Sequence, residues 1–275
     1  MAKAKAKSLI VQDFDCMTDL VKVARINPYH AGQTECAAWY GTSTNEEGFA
    51  LALTGWSEPG DDVRRLSGVI MGSLAEALPE HHIVQHDVTG ACVDIGAFLS
   101  GEPECMMDFV MEPVSTHGKV ITVLCGVTVN ADSSGDSIRR RGAAICALVE
   151  SLTMMGHSVR VIAEFSCANL YEGGTLSQTV TIKSATDPMD IDQVMFALAH
   201  PAMLRRVFFG AMRSAPGNFD PDNCSARPTT QGERFGADVV IDVQRSDGVR
   251  RLVSDPEGWI KDTLADLGLE LEGGV

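Results

Sequence analysis

Basic residues are scarce in this chain of 275 residues: 22 Lys and Arg stand against 37 Asp and Glu, a formal net charge of −15 at pH 7. That balance excludes broad binding along a phosphate backbone, which depends on Lys and Arg neutralising phosphates. Aromatic residues make up only 6% and are well separated, so there is no stacking ladder for single-stranded nucleic acid. No apolar run approaches the ~20 residues that a membrane-spanning helix needs. The start MAKAKAKSLI is basic, but its apolar run is too short for a secretory signal and no small-residue cleavage site follows.

Catalytic signatures are missing as well. There is no Gly-x-Ser-x-Gly elbow, GxGxxG or Walker A loop. The eight cysteines are scattered without a C-x-x-C pair or a Cys/His cluster. Cys125 and Cys146 fall inside an expected strand and helix, where a free thiol behaves as a small hydrophobe. Free thiols and the lack of a leader make a reduced, cytoplasmic protein the expectation, the host cytoplasm if it is phage-encoded.

What is present is an ordinary globular composition, 45% hydrophobic and 21% charged, with length enough for a large core. The most informative stretch is Gly118 to Phe165. Val120 to Val129 is apolar enough for a strand buried on both faces. A polar loop, Asn130 to Ser137, follows, and then a helix whose Ile145, Leu148, Val149 and Leu152 form a core stripe. Gly156 is placed to end that helix, and Ser158 to Phe165 reads as a second strand. Thr175 to Ala185 alternates as a half-exposed strand, at the edge of the sheet, joined through the glycines of YEGGT as a hairpin. Pro201 is expected to break or kink a helix that begins at Asp187-Pro188. Pro216 to Gly236 reads as a long loop, Gly236 to Val243 as a last strand, and Ser254 to Gly268 as a terminal helix with Pro256 near its start.

Upstream, residues 1–30 read as a basic tail and a short helix, and the capping signal at Ser43 to Glu47 opens a helix that Gly55 ends. A further helix is expected up to Pro79, then poorly periodic strands and a helical turn between Glu80 and Pro113. The expected fold is α/β: a mostly parallel central sheet with helices on both faces and one antiparallel edge strand, preceded by a helix-rich N-terminal region. A soft boundary near Ser115 divides a region 1–114 from an α/β domain 115–275.

In such sheets ligands bind beyond the carboxyl ends of the strands. The loop there offers Asp132, Ser134, Asp136 and Ser137, oxygen donors suited to Mg²⁺, Ca²⁺ or Mn²⁺. The same residues are what a turn and helix N-cap require. Arg139, Arg140 and Arg141 could receive an anion near the helix start or form a solvated first turn. His81, His82 and His86 beside Asp87 could ligate zinc or simply be exposed. Cys105 lacks an identifiable base, so core packing is the simpler reading for it.

The strand, the Asp-x-Ser loop, the helix RGAAICALVESLTMMG and the strand VRVIAEFS together resemble the start of a von Willebrand factor A-type domain. That resemblance implies a metal-ion-dependent adhesion site. Asp132 and Ser134 match its first two positions, with Asp136, or Ser137 after a one-residue shift, at the third. Thr186 with Asp187, and Asp242, sit in loops comparable to those that complete it. The leader, with WYGTSTNEEGFALALTGW and DVTGACVDIGAFLSGEPECM, looks like uncharacterised phage-encoded proteins. The resemblance implies a non-enzymatic protein-binding or adaptor protein, possible partners being an AAA+ ATPase or a phage assembly component. The alternatives are a metal-dependent hydrolase of a phosphorylated small molecule or nucleotide, and a self-assembling structural subunit.

Overall fold

The computed structural model describes residues 8–30, 37–57, 80–113, 118–129, 134–242 and 251–269, with helical positions at Arg65, Gly68, Val69 and Gly72. The helix expected up to Pro79 lies mostly outside the described residues.

The carboxyl-terminal part of the described chain builds the α/β unit that its periodicity predicts. Strand β5 (Val120–Gly126) is buried from Ile121 onward on both faces. The 20-residue helix Gly135–Met154 carries the chain back to β6 (Ser158–Asn169), which pairs with β5 in parallel. The helix is buried nearly all round between Ile138 and Leu152, because it lies between the sheet and a second helix, Ile191–Ala199. Small residues allow that approach: a Cβ on Gly142 would stand 2.3 Å from the Ala199 Cβ. At the far end Gly156 takes φ +80°, the left-handed conformation that stops the helix.

A hairpin returns the chain antiparallel into β7 (Thr175–Lys183). Its turn uses positive φ at Gly173 and Gly174. β7 lies one strand in from the edge. Outside it, β1 (Leu9–Phe14) pairs in parallel with residues 175–180, in a stretch expected to belong to the short N-terminal helix, which instead begins at Met17. On the other side β9 (Val239–Ile241) pairs in parallel with β5. The central order is therefore β1-β7-β6-β5-β9, and the short strand β8 (Cys224–Ala226) pairs antiparallel with the end of β6.

The leader shares this core. Met17, Leu20 and Val21 of the helix Met17–Ala24, and Phe49 and Ala52 of the helix Asn45–Thr54, belong to the same buried cluster as β5 and β6. The second helix starts as the sequence signals: Thr44 accepts from Glu47 N at 3.1 Å, Glu47 accepts from Ser43 N at 2.8 Å, and Gly55 leaves with φ +83°.

The expected break at Pro201 is real and specific. His200 leaves helical geometry (φ −96°, ψ 128°) and its Nδ1 accepts from Ala202 N at 3.0 Å. The restarted helix then relaxes into a π-turn at Met203–Phe208 before Phe209–Arg213. Such turns are rare and recur at functional sites. Here Arg205 and Arg206 turn toward residues 39–45. Arg205 lies 4.1 Å over the Trp39 ring. Arg206 lies 3.6 Å over the Tyr40 ring and donates to Thr42 O at 3.0 Å and to Asn45 Oδ1 at 3.2 Å.

Residues 80–113 form a separate antiparallel sheet of β2 (Glu80–Asp87), β3 (Cys92–Val93) and β4 (Met106–Pro113), in the order β2-β4-β3. The helix Ile95–Ser100 sits between β3 and β4, capped by Asp94 accepting from Gly96 N and Ala97 N.

Candidate functional site

The expected ligand loop lies at the carboxyl end of β5, with Asn130 to Ser133, and therefore Asp132, outside the described residues. Its neighbours serve the helix. Ser134 is the N-cap, its Oγ accepting from Ser137 N at 3.2 Å. Exposed Asp136 pairs with Arg139 at 3.0 Å. Asp242 follows β9, which runs parallel to β5, so it lies at the same end of the sheet. Thr186 and Asp187 do not: they follow β7, which runs against β6, and so lie at the opposite end. Among the described residues no group of three or more His, Cys, Asp or Glu is placed to hold a metal.

The three arginines diverge, as successive helical residues must. Arg140 is exposed, Arg139 half-buried, and Arg141 is 4% exposed and points inward. Burial pulls the Arg141 guanidinium down to about 10, and its Nε has no hydrogen-bond partner among the described residues. In the small sheet, His86 Nε2 lies 3.2 Å from Asp94 Oδ2, while Asp87 accepts from Val88 N at 2.6 Å. His81 and His82 belong to β2, with side chains outside the described set. Cys105 is half-buried, and its carbonyl accepts from Asp94 N at 2.7 Å.

Two features stand out that residue patterns did not flag. The first is a cavity of about 420 Å³ beside the end of β5, lined by Thr128 and Val129, by Phe165 and Cys167 of β6, by Arg205 and Phe209, and by Asp222 and Cys224. Its volume falls in the range of small-molecule sites. Tyr29, also in its wall, donates to Asp222 Oδ1 at 3.1 Å and packs edge-on against Phe209 at 5.5 Å. Nothing local marks these residues, because they come from five separated segments.

The opposite face of the sheet carries Glu164, 1% exposed. Burial raises its carboxyl above the usual range, against hydrogen bonds from Thr230 N, Ser177 Oγ and Gln231 N at 3.0–3.3 Å. The carboxylate thus anchors the loop 229–231 across the sheet.

The second feature is the surface of the small sheet. Ile95, Phe98 and Leu99 share one face of their helix at i, i+3 and i+4 and are 69%, 63% and 78% exposed. Val84, Val88 and Val93 are exposed nearby in the chain. Between Glu80 and Pro113 the sequence has seven acidic residues and no Lys or Arg. Asp87, Glu102, Glu104 and Asp108 of these are exposed. A count of charge by segment would have found this; a count over the whole chain diluted it.

No helix among the described residues is long and apolar enough to cross a membrane. No curated protein and no solved structure matches this chain. A family profile described as a domain of unknown function, DUF7192, matches residues 3–268. That match spans both the leader and the α/β unit, and the chain therefore belongs to the DUF7192 family.

Proposed function

We propose that this is a protein-binding adaptor whose contact surface is the small sheet of residues 80–113, and that its partner presents a cationic, amphipathic segment. The observation that carries the reading is the exposed apolar face Ile95-Phe98-Leu99, set within a segment of seven acids and no basic residue. Contiguous exposed apolar side chains with a polar rim are the ordinary mark of an interaction site. The negative charge of this segment repels anionic surfaces and a second copy of itself, and attracts Lys- and Arg-bearing segments. Anchors of the Phe98 and Leu99 type supply the affinity, and the acids supply orientation and association rate. An AAA+ ATPase or phage assembly component, the partners implied by the von Willebrand A-like resemblance, would be recognised here through such a basic segment.

The test uses labelled Lys/Leu and Glu/Leu amphipathic helical peptides as probes, read by fluorescence anisotropy. The Lys/Leu peptide is expected to bind, more weakly as salt rises, and the Glu/Leu peptide is not. The double variant Phe98→Ser/Leu99→Ser, which alters only exposed side chains, should lose at least about tenfold in affinity, about 1.4 kcal/mol. Equal binding by that variant would reduce the interaction to bulk charge attraction and sink the proposal.

A further inference from the structure

The cavity beside the end of β5 holds two sulfurs in its wall, Cys167 and Cys224. In the β6–β8 ladder Cys167 faces Ala226 and Asn169 faces Cys224. Since side chains alternate along a strand, the two cysteines share one face of the pair and stand one diagonal step apart. Diagonal positions on antiparallel strands stand about 7–8 Å apart, and the two sulfurs reach toward each other across that step closely enough to interact. β8 is only three residues long, half-buried, and follows the single 3₁₀ turn Pro221–Asn223. A disulfide between diagonal positions requires this short strand to shift toward β6.

We propose that Cys224 and Cys167 are a redox-active pair that closes to a disulfide across β6 and β8, with a peroxide entering the cavity as oxidant. The two sulfurs differ in the way such a pair requires. Cys167 is 2% exposed, whereas Cys224 is accessible from the cavity. The two sulfurs interact with one another, which favours thiolate at Cys224 and pushes Cys167 up. Cys224 Sγ in its neutral form donates to Asn223 Oδ1 at 3.1 Å. Cys224 is thus the attacking sulfur and Cys167 the resolving one.

The chemistry balances. The Cys224 thiolate attacks one peroxide oxygen; the S–O bond forms, the O–O bond breaks, and the departing hydroxide takes a proton to become water. Cys167 then loses its proton and attacks the Cys224 sulfur; the S–S bond forms, the S–O bond breaks, and a second water leaves. Two thiols give up two electrons, and one hydrogen peroxide becomes two waters.

Three of the other described cysteines provide internal controls. Burial pushes Cys125 up to about 12 and raises Cys146 too, so both are poor nucleophiles. Cys16 is exposed, and its thiol donates to the Asp19 carboxylate at 3.4 Å.

The test treats the full chain with hydrogen peroxide, blocks free thiols with N-ethylmaleimide without reduction, and maps the digest by mass spectrometry. The expected product is a Cys167–Cys224 linked peptide, two hydrogens lighter than its parts. With Cys167→Ser, dimedone should trap a sulfenic acid at Cys224; with Cys224→Ser, neither the link nor an adduct at Cys167 should form. Accumulation of sulfinic acid at Cys224 in the unmodified protein would show that Cys167 cannot reach it and would overturn the proposal. So would an unoxidised Cys224 while Cys16 or Cys92 reacts. Mapping of the unsubstituted chain decides the matter even if a serine variant fails to fold.

Discussion

Protonating His200 should destabilise the protein at mildly acidic pH. The ring is 6% exposed, stacked on Phe196 at 5.2 Å and set edge-on against Trp56 at 4.6 Å. Its Nδ1 is committed as an acceptor from Ala202 N. Burial lowers its pKa from 6.5 to about 4, with a further push from the Arg139 charge. The folded-state value is depressed, so the unfolded chain takes the proton first as pH falls. The stabilisation is intact above about pH 6.5 and drains as pH drops toward 4. Over the shift from 6.5 to about 4, one unit being worth 1.36 kcal/mol, the full loss is about 3 kcal/mol; roughly 2 kcal/mol of it falls between pH 7 and pH 5. Urea unfolding at pH 7, 6 and 5 measures it. His157 is also depressed, chiefly by burial, so the informative quantity is the difference between the wild-type profile and that of His200→Asn. Asparagine keeps a cap acceptor for Ala202 N but has no proton to gain. It should be less stable at pH 7, through lost ring packing, and its profile should be flatter by about 2 kcal/mol. A variant profile parallel to the wild type would show that His200 does not titrate in this window and would refute the argument.

Other consequences are equally measurable. Gly142→Ala, normally a gain of about 1 kcal/mol inside a helix, should instead cost about 1–3 kcal/mol in urea unfolding, because the added methyl meets Ala199 Cβ at 2.3 Å; a more stable variant would show the two helices free to separate. Arg141→Met exchanges an inward guanidinium, with its Nε unpartnered among the described residues, for a straight apolar chain. The urea midpoint should hold or rise, and a loss of about 3 kcal/mol or more would reveal a native partner for the charge. Thr44→Ala removes the acceptor for Glu47 N and should cost about 1 kcal/mol, seen as a lower melting temperature.

Local signals went far along the chain. The capping residues at Thr44, Ser134 and Asp255, the stop at Gly156, the hairpin glycines and the break before Pro201 all act within a few residues, so they are visible in sequence. The buried run of β5 and the stripe of the following helix named their own environment. The stretch Leu9–Phe14 was harder. Its strand exists because β7 offers a free edge from more than 160 residues away, and no local pattern announces that pairing. The candidate ligand loop shows the same limit: Asp242 shares an end of the sheet with Ser134 and Asp187 does not, a distinction set only by strand direction.

By itself the sequence determined the class of the fold, the β-α-β unit from Val120 to Phe165 and the hairpin after it, the acidity of the chain and its lack of familiar catalytic motifs. Each of these follows from periodicity, capping or charge read over short windows. Only the tertiary structure decided which side chains meet. Cys167 and Cys224 face one cavity because β8 returns to the end of β6. Arg205 and Arg206 reach residues 39–45 from a π-turn about 160 residues further along the chain. Ile95, Phe98 and Leu99 look like core residues in sequence and become a surface because their helix has no buried residue. Proximity and burial are properties of the packed chain as a whole, and no window of neighbouring residues contains them.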